Sequence, residues 1–189
     1  MKEKLLIAGF GGQGVLLAGV VLANSGMMEG AEVSWMPSYG PEMRGGTANC
    51  HVTISDKPIG SPIVEVPDSV ILMNRPSVEK FEGKLKPGGV MIVNSSLAGK
   101  CISRKDARIY LVPANDIALE LGNNKIANIV MLGAYVRVTG IVKGETVEDA
   151  IKNVIGQKKA ELIELNILAL KRGMEFIGGI DGNQDNQDK

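Results

Sequence analysis

The feature that most limits what this chain can fold into is a cluster of glycines, Gly9, Gly11, Gly12 and Gly14, set between two apolar runs. The first run, Lys4 to Ala8, is short and shows no polar alternation, the pattern of a strand covered on both faces in a parallel sheet. The second, Val15 to Met28, carries Ala, Leu and Val on nearly every side. It reads as a buried helix ending near Gly26 or Gly30. Ala31 to Met36 then makes a second strand, stopped by Pro37. The domain therefore opens with a β–α–β unit. Lys2 and Lys4 before a charge-free stretch from Leu5 to Met28 superficially resemble a secretory signal or a membrane span. The glycines and Gln13 interrupt that stretch, and no clean small-residue cleavage site follows. The chain is read as soluble and cytoplasmic.

Downstream, residues 38–47 hold three Gly and a Pro and cannot keep regular structure. From Ala48 to Ser55 apolar and polar residues alternate, the period of a strand with one apolar face, which implies an edge or antiparallel member and a mixed sheet. Further buried strands are expected at Ser69–Met73, Val90–Val93 and Arg108–Val112, with a polar helix around Ser77 to Leu85. After Pro113 the pattern becomes helical, over 114–121, 126–138, 147–155 and 158–177, and Thr146 with Asp149 forms a capping-box pattern for the third of these. The fold expected is α/β, a three-layer α/β/α, Rossmann-like and mostly parallel but mixed sheet with a helical C-terminal part. Residues 1–177 are expected to form one domain and 178–189, rich in Gly, Asn, Gln and Asp, a disordered tail. Apolar positions at spacings of three and four along the last helix suit packing on its own sheet or docking on another subunit, which leaves a homodimer open for the isolated chain.

The glycine loop meets the G-x-G-x-x-G spacing in the required context, with a strand before it and a helix after. It offers a tight turn, close backbone approach and a helix N-terminus whose free amides favour an anion. A purely structural role, tight strand-to-helix packing, is the competing reading. A dinucleotide site also needs a carboxylate at the end of the second strand for the ribose hydroxyls. Ser34 to Ser38 supplies none, so ordinary nicotinamide and flavin sites are disfavoured. With 21 basic and 21 acidic residues the chain has no electrostatic footprint for nucleic acid. Its two cysteines, 50 and 101, are too few for an iron–sulfur cluster or a zinc site. His51, the single imidazole, lies on the polar face of a strand with no nucleophile placed beside it, so a structural or interface role is expected of it. No catalytic or metal-ligating residue is assigned.

In an open α/β sheet ligands bind beyond the carboxyl ends of the strands, so the glycine loop and the Ser38–Thr47 loop should share one crevice. Within that second loop Arg44 can hold a phosphate or carboxylate, or pair locally with Glu42. Gly9-Phe10-Gly11-Gly12-Gln13-Gly14 followed by Ser38-Tyr39-Gly40-Pro41-Glu42-Met43-Arg44-Gly45-Gly46-Thr47 resembles the gamma subunit of the 2-oxoacid:ferredoxin oxidoreductases, over about residues 4–177. The Pro-Glu-Met-Arg-Gly-Gly form looks more like the 2-oxoglutarate and branched-chain types than the pyruvate type. The resemblance implies a multisubunit enzyme that decarboxylates a 2-oxoacid on thiamine diphosphate with magnesium, passes electrons through iron–sulfur clusters to ferredoxin, and releases an acyl-CoA. Partners would be alpha and beta (thiamine-binding) subunits and a ferredoxin-like subunit. No thiamine-diphosphate motif is present here, so none of these cofactors is expected on this chain alone. The role left is assembly and a share of the coenzyme A or substrate site, with Gly9, Gly11, Gly12, Gln13, Gly14, Ser38, Tyr39, Gly40, Glu42, Arg44, Gly45 and Gly46 as contacts. A free-standing nucleotide-binding enzyme and a purely structural assembly subunit are the alternatives.

Overall fold

The computed structural model describes residues 1–38, 47–99, 101–156 and 159–184. Six strands, β1 (Lys2–Phe10), β2 (Glu32–Ser38), β3 (Thr47–Ser55), β4 (Ser69–Leu72), β5 (Val90–Asn94) and β6 (Arg108–Val112), form one sheet in the order β2-β3-β1-β4-β5-β6. β1, β4, β5 and β6 run parallel, while β3 lies antiparallel between β1 and β2. The mixed sheet expected from the alternation at 48–55 is thus present. Because β3 opposes both of its neighbours, β2 points the same way as β1.

The pleat sorts the residues of β1 into two cores. Leu5 and Ile7 face one layer together with Cys50, Val52 and Ile54 of β3. Leu6 and Ala8 face the other, with Val70, Leu72, Met91 and Val93. The first layer holds α1 (Val15–Met28), α4 (Ala114–Glu120), α5 (Ala127–Thr139), α6 (Gly144–Ile155) and α7 (Ala160–Gln184). The second is thin, built from α2 (Arg75–Phe81), a 3-10 turn at Glu82–Lys84 and the short α3 (Ser95–Ala98). Burial on nearly every side of α5, from Ala127 to Val136, explains why its sequence carries almost no polar stripe.

Several boundaries differ from the sequence expectation. β2 runs through Pro37 to Ser38 instead of stopping at the proline. Pro37 lies on the outermost strand, where a missing N–H removes no ladder bond on the free side. α2 begins earlier than Ser77, because Asn74 caps it by accepting from the Ser77 N–H at 2.9 Å and Pro76 fits the first turn. The Thr146–Asp149 capping box is not used: α6 starts at Gly144 after Lys143, with no side-chain cap, and Thr146 is already helical. The last helix packs on α5 more than on the sheet and continues from Ala160 past Ile177 to Gln184. Helical geometry there covers residues 178–184, which composition alone assigns to the tail.

Candidate functional site

The glycine loop turns the chain from the carboxyl end of β1 into α1. Gln13 closes it twice: its backbone N–H donates to the Phe10 carbonyl at 3.1 Å, and its side-chain Oε1 accepts from the Phe10 N–H at 2.6 Å. The same oxygen accepts from Asn74 Nδ2 at 2.8 Å, which ties the loop to the end of β4. Gly9 packs against this arrangement so closely that a Cβ would fall 2.8 Å from Gln13 Oε1 and 2.9 Å from Met73 Cβ. Gly14 has φ +72° and caps α1 without a side chain, and α1 carries no acidic residue in its first turn. The Gly14 carbonyl accepts from Asn128 Nδ2 of α5 at 2.9 Å. The amides and dipole at this helix start are therefore uncompensated by any charge of α1 itself.

The second loop is anchored at the same end of the sheet. Thr47 of β3 pairs with Phe10 of β1, and Ser38 of β2 pairs with Asn49. At about 4.8 Å between neighbouring strands, Ser38 is about 10 Å across the sheet from the end of β1. Tyr39, Gly40, Glu42, Arg44, Gly45 and Gly46 lie outside the described residues. Of the residues expected to share a crevice, Gly9, Gly11, Gly12, Gln13 and Gly14 lie in one turn, and Ser38 lies at the same end of the sheet with β3 between it and that turn.

Asparagines that sequence reasoning passed over complete the rim. Asn94, at the end of β5, is fully buried and donates from Nδ2 to the Met73 carbonyl at 3.1 Å and to Asn115 Oδ1 at 2.7 Å. Asn115, at the start of α4, donates from Nδ2 to Asn124 Oδ1 at 2.5 Å. Together with Gly12, Gln13, Leu97 and Lys125, Asn115 and Asn124 line a crevice of about 230 Å³. The signal was available: an Asn stands at or just after the carboxyl end of β4, β5 and β6, each following an apolar run. Polar side chains there face the ligand-binding end of an open α/β sheet.

His51 sits mid-strand, half-buried, with Nδ1 buried and unpartnered. Burial, then the nearby Lys84, pushes its pKa below the usual histidine value, so the ring is neutral at pH 7. It stands opposite Leu6, four residues before the end of β1 and about 13 Å from the glycine loop at 3.3 Å per residue. Cys50 lies beneath α1, where burial pushes its thiol up to about 12. Cys101 packs against the core on the opposite face of the sheet. Thiols on opposite faces cannot share a four-iron cluster, so the residues present do not fit that cofactor. No helix among the described residues is long and apolar enough to cross a membrane.

Residues 4–176 match the family described as pyruvate ferredoxin/flavodoxin oxidoreductase. The ketoisovalerate oxidoreductase subunit VorA of Methanothermobacter marburgensis is 40% identical over 178 residues, a match that covers 93% of this chain and 36% of the relative. The chain thus spans about a third of the length of that protein. The 2-oxoglutarate synthase subunit KorC of Methanocaldococcus jannaschii is 38% identical over 178 residues, covering 93% of this chain and 94% of its own length. The gamma subunit of a keto/oxoacid ferredoxin oxidoreductase from Geobacter sulfurreducens superposes with a TM-score of 0.81 at 31% identity, covering 93% of this chain and 95% of that one.

Proposed function

The chain belongs to the pyruvate ferredoxin/flavodoxin oxidoreductase family, and from that premise we propose that it is the gamma-type subunit of a 2-oxoacid:ferredoxin oxidoreductase. In that complex, partner alpha and beta chains hold thiamine diphosphate and magnesium, and a ferredoxin-like chain carries the iron–sulfur clusters. The complex converts a 2-oxoacid to an acyl-CoA and reduces ferredoxin in the cytoplasm. This subunit supplies a binding rim. Its backbone amides at Gly11 to Gly14 and the guanidinium of Arg44 contact coenzyme A or the substrate, with Ser38, Tyr39, Gly40, Glu42, Gly45 and Gly46 shaping the second loop.

The observation that carries this reading is the convergence at one end of the sheet of the glycine loop and both anchors of the 39–46 segment. An uncompensated helix start favours an anionic ligand, and the described crevice is lined by no Cys, His, Asp or Glu. The binding surface therefore works when neighbouring chains bring the reactive groups. An independent dinucleotide enzyme is disfavoured because the end of β2 has no carboxylate for a ribose.

The native assembly, isolated through this chain, should contain thiamine-binding and ferredoxin-like chains. It should turn over a 2-oxoacid with coenzyme A and a low-potential acceptor, and a panel of 2-oxoacids assigns the substrate. Arg44→Ala should raise the KM for coenzyme A while assembly persists. Oxoacid turnover by the isolated chain, or no associated thiamine-binding chain, would overturn the proposal.

A further inference from the structure

The geometry points to Asn74 as the positioning residue of the glycine loop: its side chain holds Gln13, and through Gln13 the backbone amides at Gly11 to Gly14, in the arrangement that meets the coenzyme. This rests on the reading that the loop contacts coenzyme A, and it assigns a residue that touches no ligand itself.

Asn74 stands two residues past the end of β4 and is buried. Both ends of its amide are used. Oδ1 accepts from the Ser77 N–H at 2.9 Å and caps α2, while Nδ2 donates to Gln13 Oε1 at 2.8 Å. One side chain thus joins the first turn of a helix in the thin layer to the loop between β1 and α1. The junction is also fixed from its other neighbours: the Met73 N–H donates to the Ala8 carbonyl at 2.9 Å, and the Met73 carbonyl accepts from buried Asn94 at 3.1 Å.

Gln13 has one orientation that satisfies these partners. Its Oε1 lies between two donors, the Phe10 N–H at 2.6 Å and Asn74 Nδ2 at 2.8 Å. Turning the amide over would set an NH2 against both of them. The contact has no slack, since a Cβ on Gly9 would fall 2.8 Å from Gln13 Oε1 and 2.9 Å from Met73 Cβ. On the open side a Cβ on Gly12 would meet nothing within 4 Å, so the loop is shaped from beneath. Donors already held in place bind an anion without the cost of ordering them. Loosening Gln13 therefore weakens the coenzyme and leaves the chemistry on partner chains intact.

Capping of α2 is the competing account of Asn74, because an Asn at an N-cap stabilises a helix whatever its NH2 does. Serine separates the two. It caps about as well as asparagine and is too short to reach Gln13.

The test is made in the complex reconstituted from this full chain and its thiamine-binding and ferredoxin-like partners. Asn74→Ser should raise the KM for coenzyme A about fivefold or more, with kcat and the KM for the 2-oxoacid within about twofold of wild type. Asn74→Ala loses the cap as well, so it should lower the Tm further than Asn74→Ser while giving the same rise in KM. A rise in KM confined to Asn74→Ala would overturn the assignment in favour of capping, and an unchanged KM in both variants would overturn it outright. Hydrogen exchange on the isolated full chain supplies a readout that needs no partner. In Asn74→Ser the Phe10 amide should exchange about tenfold faster or more, while the Ser77 amide keeps its protection. An equally protected Phe10 amide would also overturn the assignment. A complex with no turnover dependent on coenzyme A would instead strike the proposed function, and the exchange measurement would still decide whether Asn74 holds the loop.

Discussion

At the scale of single residues, two glycines two positions apart in one loop make a discriminating pair. Gly12 and Gly14 both have positive φ, at +95° and +72°. A Cβ on Gly12 enters open space, whereas one on Gly14 would lie 2.4 Å from Asn128 Nδ2. Gly12→Ala should therefore cost about 1 kcal/mol, the strain of a left-handed backbone alone. Gly14→Ala adds a steric conflict with a buried side chain and should cost about 2–4 kcal/mol. Urea midpoints of the two variants test the order, and equal losses would mean that Asn128 yields freely. At the opposite end of the sheet, Glu3 accepts from the hydroxyls of Ser69 at 2.5 Å and Tyr135 at 3.4 Å. Burial, aided by the nearby Asp68 carboxylate, raises the Glu3 pKa against the lowering effect of the Ser69 bond. The folded state thus binds the proton more tightly than the unfolded chain, so the Glu3 contribution is fully present below the ordinary value of 4.5 and is lost as pH rises through the raised folded pKa. Glu3→Gln keeps an acceptor without the charge. Its Tm relative to wild type should rise between pH 4 and pH 7, and a pH-independent difference would refute the assignment.

At the scale of elements, α5 and α7 cross with backbone nearly touching. A Cβ on Gly133 would lie 2.1 Å from the Leu170 carbonyl oxygen, and one on Gly173 would lie 2.0 Å from that of Val130. Alanine is worth about 1 kcal/mol more than glycine in a helix interior, but here neither side of the contact is a side chain that can swing away. Gly173→Ala should destabilise by about 1–3 kcal/mol net. The same change at Gly179, where a Cβ meets nothing within 4 Å, should be neutral or stabilise by up to about 1 kcal/mol. Opposite signs for one substitution in one helix, read by thermal melts, are the signature of backbone contact. The helices themselves were legible because Ala, Leu and Val fill windows long enough to exclude strands. Their contacts were not, since Gly133 and Gly173 read in sequence only as weak points. Nor was the continuation of β2 through Pro37, because whether a proline ends a strand depends on which strand is outermost, and that order is set by tertiary pairing. The asparagines after β4, β5 and β6 were visible as residues, but their joint meaning needed the strand order that puts them on one rim.

At the scale of the whole molecule, the strand order decides what the chain can do. Inserting β3 between β2 and β1 moves the β2 end away from the glycine loop, to about two strand spacings. In a dinucleotide fold the second strand neighbours the first, and its carboxylate reaches the ribose. Here geometry and residue type both withhold that contact, so the exclusion drawn from Ser34–Ser38 gains a structural cause. The same sheet separates Cys50 from Cys101 by putting them in different cores. On the proposed function, the reactive groups that meet this rim come from partner chains. The isolated chain, incubated with iron and sulfide under reducing conditions, should therefore acquire no cluster absorption. With any single 2-oxoacid and coenzyme A it should reduce no low-potential acceptor. Adding the thiamine-binding and ferredoxin-like chains should restore turnover, and omitting this chain from the mixture should raise the KM for coenzyme A or abolish activity. Full activity at an unchanged KM without it would reduce the glycine rim to a packing device, with the crevice serving no step of the reaction.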